Sequence, residues 1–260
     1  MTAPRPTALV RRPGPRLSEG IVTHLDRAPV DGARALEQWQ SYCGSLRAAG
    51  WTLVEVPPAD DCPDAVFVED TVVLYRNVAV ITRPGADSRL PEVVEVEKVV
   101  ENLGCSLNRI VAPGRLDGGD VLKVDDVIYV GRGGRTNAEG IRQLRAILSP
   151  VGATVVALPV PPRVLHLKSA ITALPDGSIV GYPPIVEDRA LFPRFVAVAE
   201  ESGAHVVLLG GDRVLMAADC PRTAAQVADL GYEPVVVDIS EFQKLEGCVT
   251  CLSVRLRHIG

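Results

Sequence analysis

The chain has 260 residues, of which 47% are hydrophobic, and its 27 basic against 32 acidic side chains give a net charge of −5. This mildly acidic, mixed composition excludes a basic surface for nucleic acid, and no apolar run reaches the about 20 residues of a membrane span. The N-terminal segment lacks the apolar core of a signal peptide, and six irregularly placed cysteines suit free thiols, so we expect a cytoplasmic protein.

The predicted elements follow a recurring order. Along the chain they are a strand at 8–10, a helix at 34–49, strands at 52–57, 65–75 and 78–82, a helix at 91–103, strands at 109–112, 121–124 and 127–130, a helix at 137–148, strands at 154–160, 164–174 and 178–182, a helix at 190–201, strands at 205–209 and 214–217, a helix at 221–230, and strands at 233–239 and 252–256. Apolar residues at three- and four-residue spacing indicate the helices, and apolar runs or alternation indicate the strands.

This order amounts to five units, each with a hairpin and a helix. One helix and a few strands cannot bury a core alone, so the units must pack around something shared. A doubly wound parallel sheet would require plain alternation of helices and strands. We therefore predict an α/β fold of five small, radially arranged sheets with helices outside, in one domain over residues 1–260.

The stretch 245–256, LEGCVTCLSVRL, combines two cysteines with an alternating strand. Cys251 lies where a loop meets the strand, a place that both fixes and exposes a side chain. The competing interpretation is a small buried hydrophobe. The spacing of Cys248 and Cys251 also suits a redox pair or a metal site, but no helix begins here and no second ligand pair at zinc spacing follows.

Polar residues interrupt the apolar pattern elsewhere. Glu69 and Asp70 lie side by side in the predicted strand 65–75. Burial of two carboxylates costs free energy unless they are paired. They indicate an acidic pocket for a cation, or else a solvated strand face or pairing with arginines.

Further candidate residues lie in loops and on a strand. Asp117 and Asp120 bracket two glycines in LDGGD, which suits an ordinary turn as well as a functional loop. His166 lies between two leucines on a predicted strand, where a histidine is often structural. Arg89 and Arg135 lie in turn-rich loops after equivalent strands of neighbouring units, and such loop arginines are commonly solvated.

Together these residue types match one chemistry, the hydrolysis of a guanidinium. A carboxylate can hold this permanently charged group, and a thiol can attack its resonance-stabilised carbon. Loop arginines could hold a substrate carboxylate bidentately. This chemistry requires no metal and no organic cofactor.

Six motifs resemble the dimethylarginine dimethylaminohydrolase family of the guanidino-group-modifying (pentein) superfamily. They occur in the family's order and cover nearly the whole chain: PDAVFVED (63–70), ITRPGADSR (81–89), LDGGDVL (116–122), GRTNAEG (134–140), LHLKS (165–169) and GCVTCLSV (247–254). The resemblance implies a five-bladed ββαβ propeller, in agreement with the five units. The unit around 205–217 is shorter than in relatives, which predicts a reduced blade there.

The resemblance also implies a role for each candidate residue. Cys251 would be the nucleophile, His166 the general acid and base, and Asp117 the acid that orients this histidine. The implied substrate-binding residues are Asp70 for the guanidinium with Glu69 beside it, Asp64 near the α-amine, Arg89 and Arg135 for the α-carboxylate, the backbone at Leu245, and Ile21 on a mobile lid.

The expected partner is therefore a small molecule, an Nω-methylated arginine that is hydrolysed to citrulline and a methylamine. Two alternatives stay open. The first is another guanidino-modifying activity, either an arginine deiminase or an amidinotransferase, because the core residues are shared. The second is a catalytically idle propeller that binds guanidino ligands.

Overall fold

The computed structural model describes residues 6–186 and 188–256. Its strands are Thr7–Val10 (β1), Thr52–Glu55 (β2), Val72–Tyr75 (β3), Val78–Ile81 (β4), Ser106–Arg109 (β5), Val121–Val124 (β6), Val127–Arg132 (β7), Thr154–Pro159 (β8), Ile171–Ala173 (β9), Ile179–Gly181 (β10), Phe195–Ala197 (β11), Val207–Gly210 (β12), Arg213–Ala217 (β13), Glu233–Val237 (β14) and Val254–Leu256 (β15). Its α-helices are Gly32–Ala48 (α1), Val93–Asn102 (α2), Ala138–Leu148 (α3), Pro221–Asp229 (α4) and Ser240–Gln243 (α5). None of the helices in the described ranges is long and apolar enough to cross a membrane.

The described strands form five separate three-stranded sheets, each with the same internal order. In each sheet a first strand pairs antiparallel with a second, and the second pairs parallel with a third. The fifth sheet takes its first strand, β15, from the end of the chain and its other two, β1 and β2, from the beginning. The first strands of all five sheets contribute to the wall of one central cavity of about 810 Å³. The architecture is therefore the predicted five-bladed α/β propeller.

The four longer helices, α1 to α4, each pack against the sheets through one apolar stripe. In α1 the side chains of Trp39, Tyr42, Cys43 and Leu46 are buried, at the three- and four-residue spacing that indicated this helix. Asp31 caps its start, because its carboxylate accepts hydrogen bonds from the next turn's backbone N–H groups. The interior is built mainly from aliphatic residues in neighbouring clusters between helices and sheets.

The predicted helix at 190–201 was wrong. The described part of the connection from β10 to β11 contains no α-helix; it has a short 3-10 turn at Arg189–Leu191 before β11, and a second, at Ser202–Ala204, follows that strand. Pro193 lies inside the predicted helix, where its missing N–H and its ring oppose helical continuation. The reduced blade is therefore this one, whereas the unit around 205–217, predicted to be short, keeps three strands and a helix.

Two predicted strands were too long at their starts. Within 65–75 and 164–174, only β3 and β9 are strands, and each is preceded by a 3-10 turn, at Val68–Thr71 and Leu167–Ser169 respectively. A continuous buried apolar run carries no periodicity that separates a strand from a tight turn. The strand predicted at 109–112 lies three residues earlier, at Ser106–Arg109, where it pairs in register with β4.

Candidate active site

Four candidate residues lie at the same place in four different blades, just before the first strand. Asp70 belongs to the turn before β3, Asp117 begins the turn before β6, and His166 begins the turn before β9. Cys251 lies in the turn before β15. Because the first strands of the blades surround the central axis, these four positions meet at one end of it. His166 is thus the cap of a turn and not a strand residue, which corrects its predicted setting.

A small pocket brings most of the predicted site residues together. It has a volume of about 20 Å³. Its wall includes eight of the ten predicted residues: Ile21, Asp64, Asp70, Arg89, Arg135, His166, Leu245 and Cys251. Asp117 lies behind His166, and Glu69 lies elsewhere.

His166 is held by a buried carboxylate. Its Nε2 lies 3.0 Å from Asp117 Oδ2 and 4.0 Å from Asp70 Oδ1, and all three side chains are at least 95% buried. The other oxygen of Asp117 accepts the Gly85 N–H at 2.7 Å, which fixes the carboxylate. Gly119 passes directly over this group, where a Cβ would lie 2.7 Å from both Asp70 Oδ1 and His166 Nδ1. Gly119 therefore allows this close approach, and Gly118 allows another one, to the Glu69 carbonyl, beyond forming a turn.

The charges around His166 favour its protonated form. Burial alone would lower its pKa, but the carboxylates of Asp70, Asp117 and Asp120 outweigh it and raise the pKa to about 9. Burial also acts on Asp70, but His166 and Arg89 hold the pKa of that carboxyl down to about 2. The site therefore combines an ionised acid with a protonated imidazole at neutral pH.

Asp120, the second acid of LDGGD, supports the neighbouring turns. Its Oδ2 accepts the Thr136 hydroxyl at 2.6 Å, and its Oδ1 accepts the Leu167 N–H at 2.9 Å, next to His166. Burial raises its pKa to about 6, against the opposing influence of His166 and of the bond from Thr136. Asp120 therefore positions the histidine turn without facing the pocket.

Arg89 is buried and its guanidinium already has several partners. Nη1 donates to Asp70 Oδ2 at 2.6 Å, and Nη2 donates to Glu92 Oε2 at 2.8 Å and to the carbonyl of Phe67 at 3.0 Å. In this conformation it holds the carboxylate that was predicted to bind the substrate guanidinium. Its predicted contact with a substrate α-carboxylate stays a prediction.

Glu69 points away from the pocket and lines the central cavity instead. Its carboxylate lies 2.6 Å from Lys168 Nζ and 3.2 Å from Arg255 Nη2, and accepts the Thr250 hydroxyl at 2.9 Å. Its position gives no support to the prediction that it binds substrate beside Asp70. Neighbouring residues of a 3-10 turn point about 120° apart, so Asp70 faces the small pocket whereas Glu69 faces the central cavity.

The segment 21–25, which carries the predicted lid residue Ile21, borders the pocket and is fastened by two acids, Glu246 and Asp64. Oε1 of Glu246 accepts the backbone N–H groups of Thr23, His24 and Leu25, two of them at 3.0 and 2.9 Å. Asp64 accepts the Ile21 N–H at 3.0 Å, and Arg135 donates to the Thr23 hydroxyl at 3.3 Å. The segment 21–25 is therefore held by hydrogen bonds to side chains at the mouth of the pocket.

Two cysteines meet at the nucleophile position. The Sγ atoms of Cys248 and Cys251 lie 3.1 Å apart, and only Cys251 is part of the pocket wall. The hydrogen bond between the thiols lowers the pKa of Cys248 and raises that of Cys251, and burial and the carboxylates of Glu69 and Asp70 raise the latter further. A cation bound near Asp70 would offset that repulsion and favour a thiolate on Cys251.

Ligand atoms of Asp70, Asp117 and His166 lie within 4.8 Å of one another, as in a metal site. Each of them, however, already has a protein partner, because Asp70 pairs with Arg89, Asp117 accepts from Gly85, and His166 faces Asp117. The arrangement is therefore a charge-compensated hydrogen-bond network.

Two functional neighbours were not predicted. Glu246 lines the pocket and fastens the lid, and Glu92 compensates Arg89. Glu92 follows Arg89 by three residues, a spacing at which charges meet on a helical turn, so the sequence held a usable signal for it. The sequence held no comparable signal for Glu246, which has a left-handed backbone φ of 61° and accepts the N–H groups of the segment 21–25.

Comparison with known proteins finds relatives that are similar over nearly the whole chain. No model of a known protein family matches the chain. A dimethylarginine dimethylaminohydrolase of Streptomyces coelicolor is 65% identical over 256 residues, which cover 98% of this chain and 99% of that protein.

Two solved structures are also similar. A crystal structure of a histidine-to-glycine variant of dimethylarginine dimethylaminohydrolase, in an adduct with S-methyl-L-thiocitrulline, gives a TM-score of 0.91 at 34% identity, over 97% of this chain and 100% of that chain. A cysteine-to-serine variant of the Pseudomonas aeruginosa enzyme, complexed with citrulline, gives 0.90 at 35% identity, over 96% and 98%.

Proposed function

The chain belongs to the dimethylarginine dimethylaminohydrolase family, and we propose that Cys251, His166, Asp117 and Asp70 perform its chemistry. It is a hydrolase that converts dimethylarginine to citrulline. The observation that carries the assignment of residues is the convergence of these four side chains from four blades. A nucleophile, an acid–base group and a fixed anion within one small pocket suit attack on a cationic carbon.

Substrate binding is the first step. The guanidinium of the methylated arginine lies against Asp70, whose carboxylate has lone pairs beyond those used by Arg89 and Gly119. Arg135, at the mouth of the pocket, holds the α-carboxylate, and Asp64 lies towards the α-amine. A volume of about 20 Å³ is room for one water, so a ligand of this length requires the segment 21–25 to move outward.

Covalent attack follows. The cationic substrate favours the Cys251 thiolate, which adds to the guanidinium carbon. His166, protonated at neutral pH, donates its proton to the methylated nitrogen, and the C–N bond to the amine breaks. The product is an S-alkylthiouronium on Cys251, so one difficult hydrolysis is divided into two easier displacements.

Hydrolysis completes the cycle. His166, now neutral, accepts a proton from a water that attacks the thiouronium carbon, and the C–S bond breaks to give citrulline and the Cys251 thiolate. Asp117 orients the imidazole through its contact at 3.0 Å and stabilises its charged form in both steps. Its role is comparable to that of the acid in other triads, which fixes the ring without itself taking up the proton.

Steady-state citrulline formation from dimethylarginine, monomethylarginine and arginine tests this proposal. Methylated substrates should be preferred, and a preference for arginine would instead indicate a deiminase. Cys251→Ser should abolish turnover, because a serine hydroxyl is not acidic enough to attack this carbon, whereas the matched Cys248→Ser should keep most activity. The opposite result for the two variants would exclude Cys251 as the nucleophile.

A further inference from the structure

The sequence Cys248-Val-Thr-Cys251 forms a tight turn that places two thiols in contact. The Cys251 N–H donates to the Cys248 carbonyl at 3.0 Å, the bond that closes a four-residue turn. Such a turn keeps its end Cα atoms within about 7 Å, which overlaps the range that a disulfide spans. The sulfurs themselves are 3.1 Å apart, so a bond between them requires about 1 Å of movement.

This pair differs from the other four cysteines, which are also buried and free. Burial raises the pKa of Cys43 to about 12 and that of Cys220 to about 11, and it raises the pKa of Cys62 and Cys105 as well. The hydrogen bond between the paired sulfurs lowers the pKa of Cys248, and transfer of one proton along that bond, from Cys251 to Cys248, gives the thiolate of Cys251. Because the thiolate is the reactive form of cysteine, oxidation should select this pair.

Access is also asymmetric within the pair. Cys251 lines the pocket, whereas Cys248 lies behind it against the Thr250 hydroxyl at 3.2 Å. Hydrogen peroxide is small and neutral, and it is little larger than the one water for which the pocket has room, so it can reach Cys251 with far less outward movement of the segment 21–25 than an arginine requires. The thiol of Cys248, 3.1 Å away on the buried side of Cys251, can then attack the oxidised sulfur.

We propose that Cys248 is a resolving cysteine, and that hydroperoxides convert Cys248 and Cys251 into a reversible disulfide that switches the hydrolase off. The Cys251 thiolate attacks one peroxide oxygen, the O–O bond breaks, and a sulfenic acid and a hydroxide form; the hydroxide takes a proton from protonated His166, in the same pocket wall, and leaves as water. The Cys248 thiol attacks the Cys251 sulfur, the S–S bond forms, the S–O bond breaks, and a second water leaves with the thiol proton. Two thiols are oxidised and one peroxide is reduced.

The disulfide protects the nucleophile as well as blocking it. A sulfenic acid without a neighbouring thiol proceeds to the sulfinic and sulfonic acids, which thiol reductants cannot reverse. With Cys248 present, a cellular dithiol restores both thiols by exchange. Only the activity readout of this proposal depends on the proposed function, because the disulfide itself is a covalent change that is measured directly.

The test treats the whole protein with a few equivalents of hydrogen peroxide, with or without later dithiothreitol. In the denatured protein the titratable thiols should fall from six to four. Mass spectrometry should find the peptide 245–255 lighter by two hydrogens, and dithiothreitol should restore most of the activity. A Cys220→Ser control should behave in the same way.

Cys248→Ser cannot form the disulfide, so its inactivation by peroxide should no longer be reversible by dithiothreitol. Peroxide should then add oxygen to Cys251, and the fraction of activity regained with dithiothreitol, relative to the untreated variant, should fall severalfold below wild type. The proposal is overturned if wild-type Cys251 becomes sulfinic acid while Cys248 stays free, or if the disulfide joins other cysteines. Loss of activity without any covalent change at this peptide would also overturn it. Absence of hydrolase activity in untreated protein would instead refute the proposed function and leave the mass measurement valid.

Discussion

Asp117→Asn should shift the pH dependence of the hydrolase through His166 alone. The asparagine keeps the size of the side chain, and its amide oxygen can still accept the Gly85 N–H. Its amide nitrogen, however, would face His166 Nε2, where it donates and so favours the neutral imidazole. Two of the influences that raise the pKa of His166, the hydrogen bond and the charge of Asp117, are lost together.

The magnitude follows from the pKa of about 9 in the folded protein against 6.5 for an ordinary histidine. That difference of about 2.5 pKa units corresponds to about 3.5 kcal/mol of stability, at about 1.4 kcal/mol for each unit. Because the folded pKa is the higher one, this stability is fully present below pH 6.5 and is lost as the pH rises through 9. Asp117→Asn should lower the pKa of His166 by one unit or more, and so remove about 1.4 kcal/mol or more of this pH-dependent stability.

Two assays measure this. The alkaline limb of kcat/KM, near pH 9 in wild type, should move down by at least one pH unit, and NMR titration of the His166 ring should show the same shift. Unfolding in urea at pH 6 and pH 9.5 should differ less in the variant than in wild type. Asp125→Asn, which changes an acid at the remote rim of the central cavity, is the matched control. A wild-type pKa near 6.5, or an alkaline limb that does not move in Asp117→Asn, would refute the reasoning.

Three further variants probe the remaining contacts. Asp70→Asn should reduce kcat/KM by the equivalent of about 2–5 kcal/mol, the cost of removing one member of a buried charge pair, and a change below threefold would make this acid merely structural. Arg135→Ala should raise KM for methylated arginine far more than it lowers kcat, and agmatine, which lacks the carboxylate, should be a poor substrate; equal turnover of both would reopen the substrate class. Glu246→Ala removes the acceptor of three backbone N–H groups in the segment 21–25, so trypsin should cleave at Arg27 severalfold faster while the melting temperature stays unchanged. Equal cleavage of the variant and wild type would show that these hydrogen bonds do not limit the opening of the segment.

The five-bladed architecture could be predicted because each hairpin and most helices carry their own local signal. The buried stripe of α1 and the turns of the hairpins are properties of short sequence windows. The failures lie where the local signal was overlooked or ambiguous: Pro193 opposes the helix predicted at 190–201, and the apolar runs 65–75 and 164–174 carry no periodicity that separates a strand from a tight turn. Phe192 and Phe195 flank Pro193, and their stacked rings pack inside the blade instead of on a helix face.

The candidate site was predicted as a set of residues, but its pairings were not. Sequence neighbours such as Glu69 and Asp70 were assigned to one pocket, because nothing in the run of apolar residues indicated a 3-10 turn. The turn separates them, so that Asp70 faces the pocket and Glu69 faces Lys168 across the central cavity. Burial of Glu69 is then tolerable because two cations and a hydroxyl compensate its charge.

The ring geometry explains why positions so far apart in sequence converge. Each blade begins its first strand at the same end of the axis, so the residue before that strand points to a shared centre. The remaining blade, whose first strand is β12, follows the same rule with His205, which lies two residues before that strand and was not among the predicted site residues. Its Nε2 lies 2.9 Å from the carbonyl of Ser169, at the end of the turn that His166 begins. Four blades therefore supply chemistry at this position, and the fifth supplies a contact that holds the turn of the acid–base histidine in place.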